Sequence, residues 1–261
     1  MKYNSLYSDT QKDYKIIFLH HSTGRVIFNA GRRIKPFVTK LFPPSKNYIS
    51  QWLTDYNHVN GTNYTFTEQW FPKSNPYGWN NYPYDYYNIW VKNAGPQPYL
   101  NEPTLELLTR QYDLIIYKHC FPVSNIDEDI NEPDIDSSAK RLENYKLQYL
   151  ALKQKLNEFS HTKFLLWTGA AQVKSNITQE QAIRSKSFFD WVKNEWNTEN
   201  DNIFLWDFYE LETEGELFLK DENANNTHDS HPGKFFAEKV APLFCQRIIE
   251  VIQHQYVFNL V

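Results

Sequence analysis

Only two cysteines, Cys120 and Cys245, stand in the 261 residues of this chain, far apart and each within an apolar stretch. So few, so placed, argue against a disulfide framework and for two buried free thiols. No apolar run approaches the roughly 18 residues needed to span a bilayer. The first residues, "MKYNSLYSDTQKDYK", lack the apolar centre of a secretory signal. We therefore expect a soluble, cytoplasmic protein with no membrane partner. Basic excess is missing too: the net charge is −4 and no basic stripe interleaves with aromatics, which argues against nucleic acid. No internal repeat and no low-complexity linker divides the chain, so a single domain over 1–261 is expected.

What is present is aromatic. Phe, Trp and Tyr make up 17% of the residues, enough for a core with some left to line a ring-binding surface. Four short apolar runs, 14–20, 112–120, 163–170 and 202–209, are continuous rather than alternating. That is the pattern of strands covered on both faces by helices. Helical spacing follows them. Residues 138–159 set Leu142, Tyr145, Tyr149, Leu152 and Leu156 on one face, and 179–196 do so with Ile183, Phe188, Val192 and Trp196. A last helix over about 233–253 carries Phe236, Val240, Phe244, Ile248 and Ile252. Alternation of this kind predicts an open, mainly parallel α/β sheet with right-handed crossovers, and a site beyond the carboxyl ends of its strands.

The stretch 25–110 is broken repeatedly by Pro43-Pro44, Asn60-Gly61, Pro72, Pro76 and Pro96. It is expected to hold a helix after Gly24, another near 46–56, a strand near 63–68 and then a long aromatic loop. We treat it as an insertion on the one domain. The acidic run "IDEDINEPDID" (126–136) is expected to be a solvated loop before a helix.

Two short segments carry the chemistry. "KIIFLHHSTG" (15–24) is a strand that ends by presenting His20, His21 and Ser22, and "NTHDSHPG" (226–233) precedes the last helix. A serine needs a base to become a nucleophile, and histidine has the pKa for it. At a strand-to-helix turn, Ser22 would stand beside free backbone N–H groups able to hold an oxyanion. On its own, Ser22 is better explained as a plain helix cap. A solvent-facing histidine beside an Asp/Ser cap likewise explains His231.

Taken together, the segments resemble the SGNH (GDSL-like) hydrolases. Ser22 follows the first strand, and "DSHPG" stands where that family has its Asp-His block. "NYPYDYYNIWV" (81–91) is similar to a stretch in uncharacterised bacterial members. The resemblance spans roughly 14–24, 112–126 and 163–250. It implies a flavodoxin-like three-layer α/β/α sandwich with a central, mainly parallel sheet. It also implies Ser22 as nucleophile, His231 as base, and no cofactor. The family usually places the acid three residues before the histidine. Here that residue is His228, and the carboxylate is Asp229, two before; a backbone carbonyl is the alternative partner for His231. The oxyanion donors implied are the Ser22 N–H, Gly95 and Asn125. Asn125 shares its edge with two rivals, His119 and Ser124.

Of the remaining candidates, His21 is expected to line the site, with Trp79 and Asp85 of the aromatic stretch 77–91 touching substrate. The bland alternative is that these rings wedge the insertion onto the sheet. The function expected is hydrolysis of an O-acyl ester, an O-acetyl group among them, with a carbohydrate or other small molecule as the partner. Two other classes remain open. One is a metal-dependent hydrolase built on His20, His21, His228 and His231 with Asp229. The other is a glycan-binding module on a decayed hydrolase fold.

Overall fold

The computed structural model describes residues 13–30, 47–77, 80–199 and 201–254. Its centre is a five-stranded sheet in the order β2-β1-β3-β4-β5. The strands are β1 (Asp13–His20), β2 (Asn63–Trp70), β3 (Leu114–Lys118), β4 (Lys163–Trp167) and β5 (Ile203–Trp206). All four pairings are parallel, with Ile17 beside Ile115 and His20 beside Trp70. This is the doubly wound, flavodoxin-like order, in which the chain reverses direction between β1 and β3.

Both faces of the sheet are covered, which is why the central strands read as unbroken apolar runs. One face carries Ile16, Phe18, Leu114, Ile116, Leu165 and Trp167. Against it pack α1 (Ser22–Phe28), α2 (Tyr48–Asn60) and the long terminal helix α9 (Lys234–Gln253). The other face carries Ile17, Leu19, Ile115, Tyr117, Phe164 and Leu166. Its cover is α4 (Pro83–Tyr87), the single turn α5 (Leu105–Leu108), α6 (Leu142–Asn157) and α7 (Gln179–Trp191). The result is a three-layer α/β/α sandwich.

Local signals place the helix ends. The Asn47 side chain accepts from Ser50 N–H at 2.8 Å to open α2, and Gly61, in the left-handed region at φ 65°, closes it. Thr178 and Gln181 form a reciprocal capping box at the start of α7. On α6 the predicted stripe is buried from Tyr145 to Leu156. On α7 it is only partly so, because Ile183 is 46% exposed.

The stretch read as an insertion contributes β2, the edge strand paired along its whole length with β1. Its aromatic part is helical where a loop was expected. After the turn α3 (Ser74–Tyr77), α4 runs on into a π-helical turn, Asn88–Lys92. Tyr82, Tyr86, Tyr87 and Trp90 are buried there, so these rings do wedge this part of the chain onto the sheet. The acidic run 126–136 is mostly exposed chain ahead of α6. Cys120 and Cys245 are free and buried. No helix among the described residues is long and apolar enough to cross a membrane.

Candidate active site

Ser22 is the first residue of α1, at the carboxyl end of β1 and beside the reversal point of the sheet. Gly24 is what lets the helix start so close to the strand. A Cβ there would lie 2.5 Å from the Cβ of His20, so any side chain would push α1 off. The Ser22 N–H belongs to the first turn and has no helical acceptor.

The second segment arrives from the far end of the chain. After β5 the helix α8 (Phe208–Thr213) leads to a small hairpin, β6 (Ala224–Asn226) and β7 (Asp229–Pro232). Residues two apart on a strand share a face, so Asp229 and His231 point the same way. Buried Ser230 points to the other face and is held by Val173 N–H at 3.2 Å and the Asn176 amide at 3.1 Å. Gly233 closes the hairpin by close approach: its N–H donates to Asn223 O at 2.7 Å, and a Cβ would lie 2.6 Å from Ala224 O.

The two segments meet. The Ser22 hydroxyl donates to His231 Nε2 at 2.8 Å, and His231 Nδ1–H donates to Asp229 Oδ1 at 2.6 Å. A carboxylate only accepts, which assigns the proton to Nδ1 and leaves Nε2 open toward the serine. Asp229 Oδ1 also takes the His231 backbone N–H at 3.0 Å, and Oδ2 takes the Asn225 amide at 2.9 Å. Partial burial raises the Asp229 carboxyl, but those bonds outweigh it and hold it below its ordinary value. Phe121 stands edge-on to the His231 ring, centroids 5.2 Å apart, and limits its tilt. The Asp229 carboxylate thus reaches the ring from two residues back, because the segment is a strand.

The remaining candidates divide. Asn125 lies at the same strand edge, just after the 3-10 turn Phe121–Ser124 that follows β3. Its Oδ1 accepts from Gln172 at 2.5 Å. Its Nδ2 has no hydrogen-bond partner among the described residues.

Gly95 is a correction. Its N–H donates to Glu106 Oε2 at 3.0 Å, and Glu106 pairs with Lys155 in the last turn of α6. That places Gly95 toward the opposite edge of the sheet, with its donor occupied.

His21 is also corrected. Its ring is buried, stacked on Trp70 at 4.6 Å, with Nε2–H donating to Pro72 O at 2.5 Å. Desolvation lowers its pKa to about 4, so it is a neutral packing residue.

Asp85 is no substrate contact either. It is buried at the third position of α4, where it accepts from Tyr82 N–H at 3.3 Å. Trp79 lies outside the described residues.

The rivals on the β3 edge are structural as well. His119 is buried against the Tyr149 hydroxyl, and Ser124 donates to Ala170 O at 2.5 Å. The four histidines read as a possible metal set do not converge. The two ring nitrogens of His20 face His21 O and Glu68, and His228 is exposed on the hairpin. Among the described residues no group of three or more His, Cys, Asp or Glu is arranged to hold a metal.

Sequence reasoning missed Asn225, Phe121 and the contact of Cys120 with Ser22. The position of Cys120, two residues past β3, was the available signal. Compared with protein-family models, curated proteins and solved structures, the chain matches none of them.

Proposed function

We propose that this chain is a serine ester hydrolase of the SGNH type, cleaving an O-acyl group through an acyl-enzyme. The observation that carries the reading is the unbroken run from Ser22 Oγ through His231 to Asp229, at 2.8 and 2.6 Å. Hydroxyl, imidazole and carboxylate in that order are the parts an activated serine requires. His231 Nε2 takes the Ser22 proton as Oγ attacks the ester carbonyl. Asp229 stabilises the imidazolium and keeps its tautomer. The same nitrogen then protonates the departing alkoxide. Water, deprotonated by His231, releases the acid.

The oxyanion would be held by the Ser22 N–H and by the Asn125 amide, with Gly95 removed from the set. The family resemblance supports an ester substrate, and the carbohydrate acceptor was suggested by the aromatic stretch 77–91. Of the aromatic side chains that suggested a sugar platform, Tyr82, Tyr86, Tyr87 and Trp90 are in the core. A binding module on a decayed fold has no need for a serine and a histidine in hydrogen-bonding register.

The test is intact-mass labelling with a fluorophosphonate on wild type, Ser22→Ala and His231→Ala. The expected result is one adduct, on Ser22, absent from both variants. No adduct on a folded, monodisperse wild type would sink the reading.

A further inference from the structure

Beside Ser22 lies a buried sulfur. Cys120 Sγ is 3.6 Å from Ser22 Oγ and 3.5 Å from Thr23 Oγ1. Cys120 and Thr23 are both buried, and Thr23 Oγ1 has no other partner among the described residues. The hydrogens can therefore be assigned by counting. The Ser22 oxygen owns one proton, which must lie toward His231 Nε2 for the base to take it, and it has lone pairs left to accept. The Thr23 hydroxyl has only the sulfur to donate to. The consistent direction is Thr23 to Cys120, Cys120 to Ser22, Ser22 to His231, and His231 to Asp229.

We infer that Cys120 is a positioning residue for the nucleophile: its S–H donates to Ser22 Oγ, and this leaves the single hydroxyl proton aimed at His231. The inference rests on the serine-hydrolase reading and adds a part to its machinery. A thiol in this place also makes the serine sensitive to ionisation of the sulfur. A thiolate can only accept, so it competes with His231 for the Ser22 proton and turns the hydroxyl away from its base.

The groups around the sulfur bear on that ionisation. Lys118 of β3 and Glu212 of α8 are both fully buried and interact with it, as does Tyr86 of α4, while His231 reaches it through Ser22. Burial raises the Cys120 thiol, but the Lys118 charge and the bonds that the ionised sulfur would accept from the Thr23 hydroxyl, the Ser22 hydroxyl and the Thr23 N–H outweigh it and bring the thiol below its ordinary value.

The experiment measures the second-order rate of fluorophosphonate addition to Ser22 from pH 6 to 10, on the full chain. Wild type, Cys120→Ala, Cys120→Ser and Glu212→Gln are compared, with folding checked by thermal melts. Cys120→Ala is expected to slow addition roughly three- to tenfold, the size of one weak hydrogen bond. Cys120→Ser keeps a donor and restores the rate. Wild type is expected to lose reactivity at alkaline pH, Cys120→Ser not to, and Glu212→Gln still to do so.

If Cys120→Ala does not fold, the missing alkaline limb in Cys120→Ser carries the test. An Ala variant that labels at the wild-type rate with the same pH profile overturns the inference. So does an alkaline limb that survives in Cys120→Ser or vanishes in Glu212→Gln. In those cases wild type is still labelled. An unlabelled wild type means that the serine-hydrolase reading itself has failed, and the positioning role falls with it.

Discussion

At the scale of single residues, what distinguishes this site is the placement of its acid. A carboxylate two positions before a histidine can reach Nδ1 only when both sit on one face of an extended segment, and β7 supplies that. Asp229→Asn preserves the shape, but its amide can present a donor to Nδ1 and favour the wrong tautomer. Hydrolysis of an activated ester is expected to fall by on the order of 10³- to 10⁴-fold, with the fold intact. A loss below tenfold would mean that Asp229 does not orient His231. The neighbouring His20 and His21 show the opposite case. Their rings are committed to Glu68 and Pro72, so a run of histidines at a strand end serves packing here more than chemistry.

Among the elements, the β6–β7 hairpin carries two of the three candidate catalytic side chains, and its geometry depends on Gly233. The constraint is crowding, since a Cβ would meet the backbone oxygen of Ala224 at 2.6 Å. Gly233→Ala must open the hairpin or shift the start of α9. We expect a destabilisation of about 1–3 kcal/mol, as for other overpacked sites. Labelling of Ser22 should slow along with it, because His231 moves with the strand. Thermal melting and labelling rate measured on one preparation check both effects; a variant unchanged in both would show that the hairpin tolerates the extra carbon. At its other end, α9 is closed by a side chain from the sheet. Lys163 Nζ donates to the carbonyls of Val251, Ile252 and His254, satisfying acceptors that the last turn leaves open.

For the whole molecule, buried carboxyls give stability a pH dependence. Desolvation raises Asp85 to about 7, against the opposing pull of Tyr82 N–H, Lys140 and Asn81 N–H. A folded pKa above the unfolded value means that the native state keeps a proton the unfolded chain has lost. Stability then falls as pH rises from about 4, the unfolded value, toward 7. Asp85→Asn has no such proton. The melting temperature of wild type relative to the variant is therefore expected to be highest at pH 4 and to decline to pH 8. Parallel curves across that range would contradict the assignment. Glu212, raised by burial to about 8, adds a slope of the same sign in the same way.

Much of this protein was legible in its residues. The runs at 14–20, 112–120, 163–170 and 202–209 each became a strand of the parallel sheet, because a strand buried on both faces has to be apolar throughout. Ser22 and His231 were legible because strand-end and pre-helix loops are where such a sheet exposes polar side chains. Tertiary structure alone decided the rest. Whether Asp229 could reach His231 depended on the hairpin. Whether Gly95 was free depended on Glu106, eleven residues on. Whether the aromatic rings of 82–90 faced a ligand or the core depended on the sheet beneath them. These are long-range matters of which acceptor, donor or apolar face lies opposite a given side chain. Local spacing fixes the direction of a residue, but its partner is supplied by other chain, for His231 by Ser22, 209 residues away.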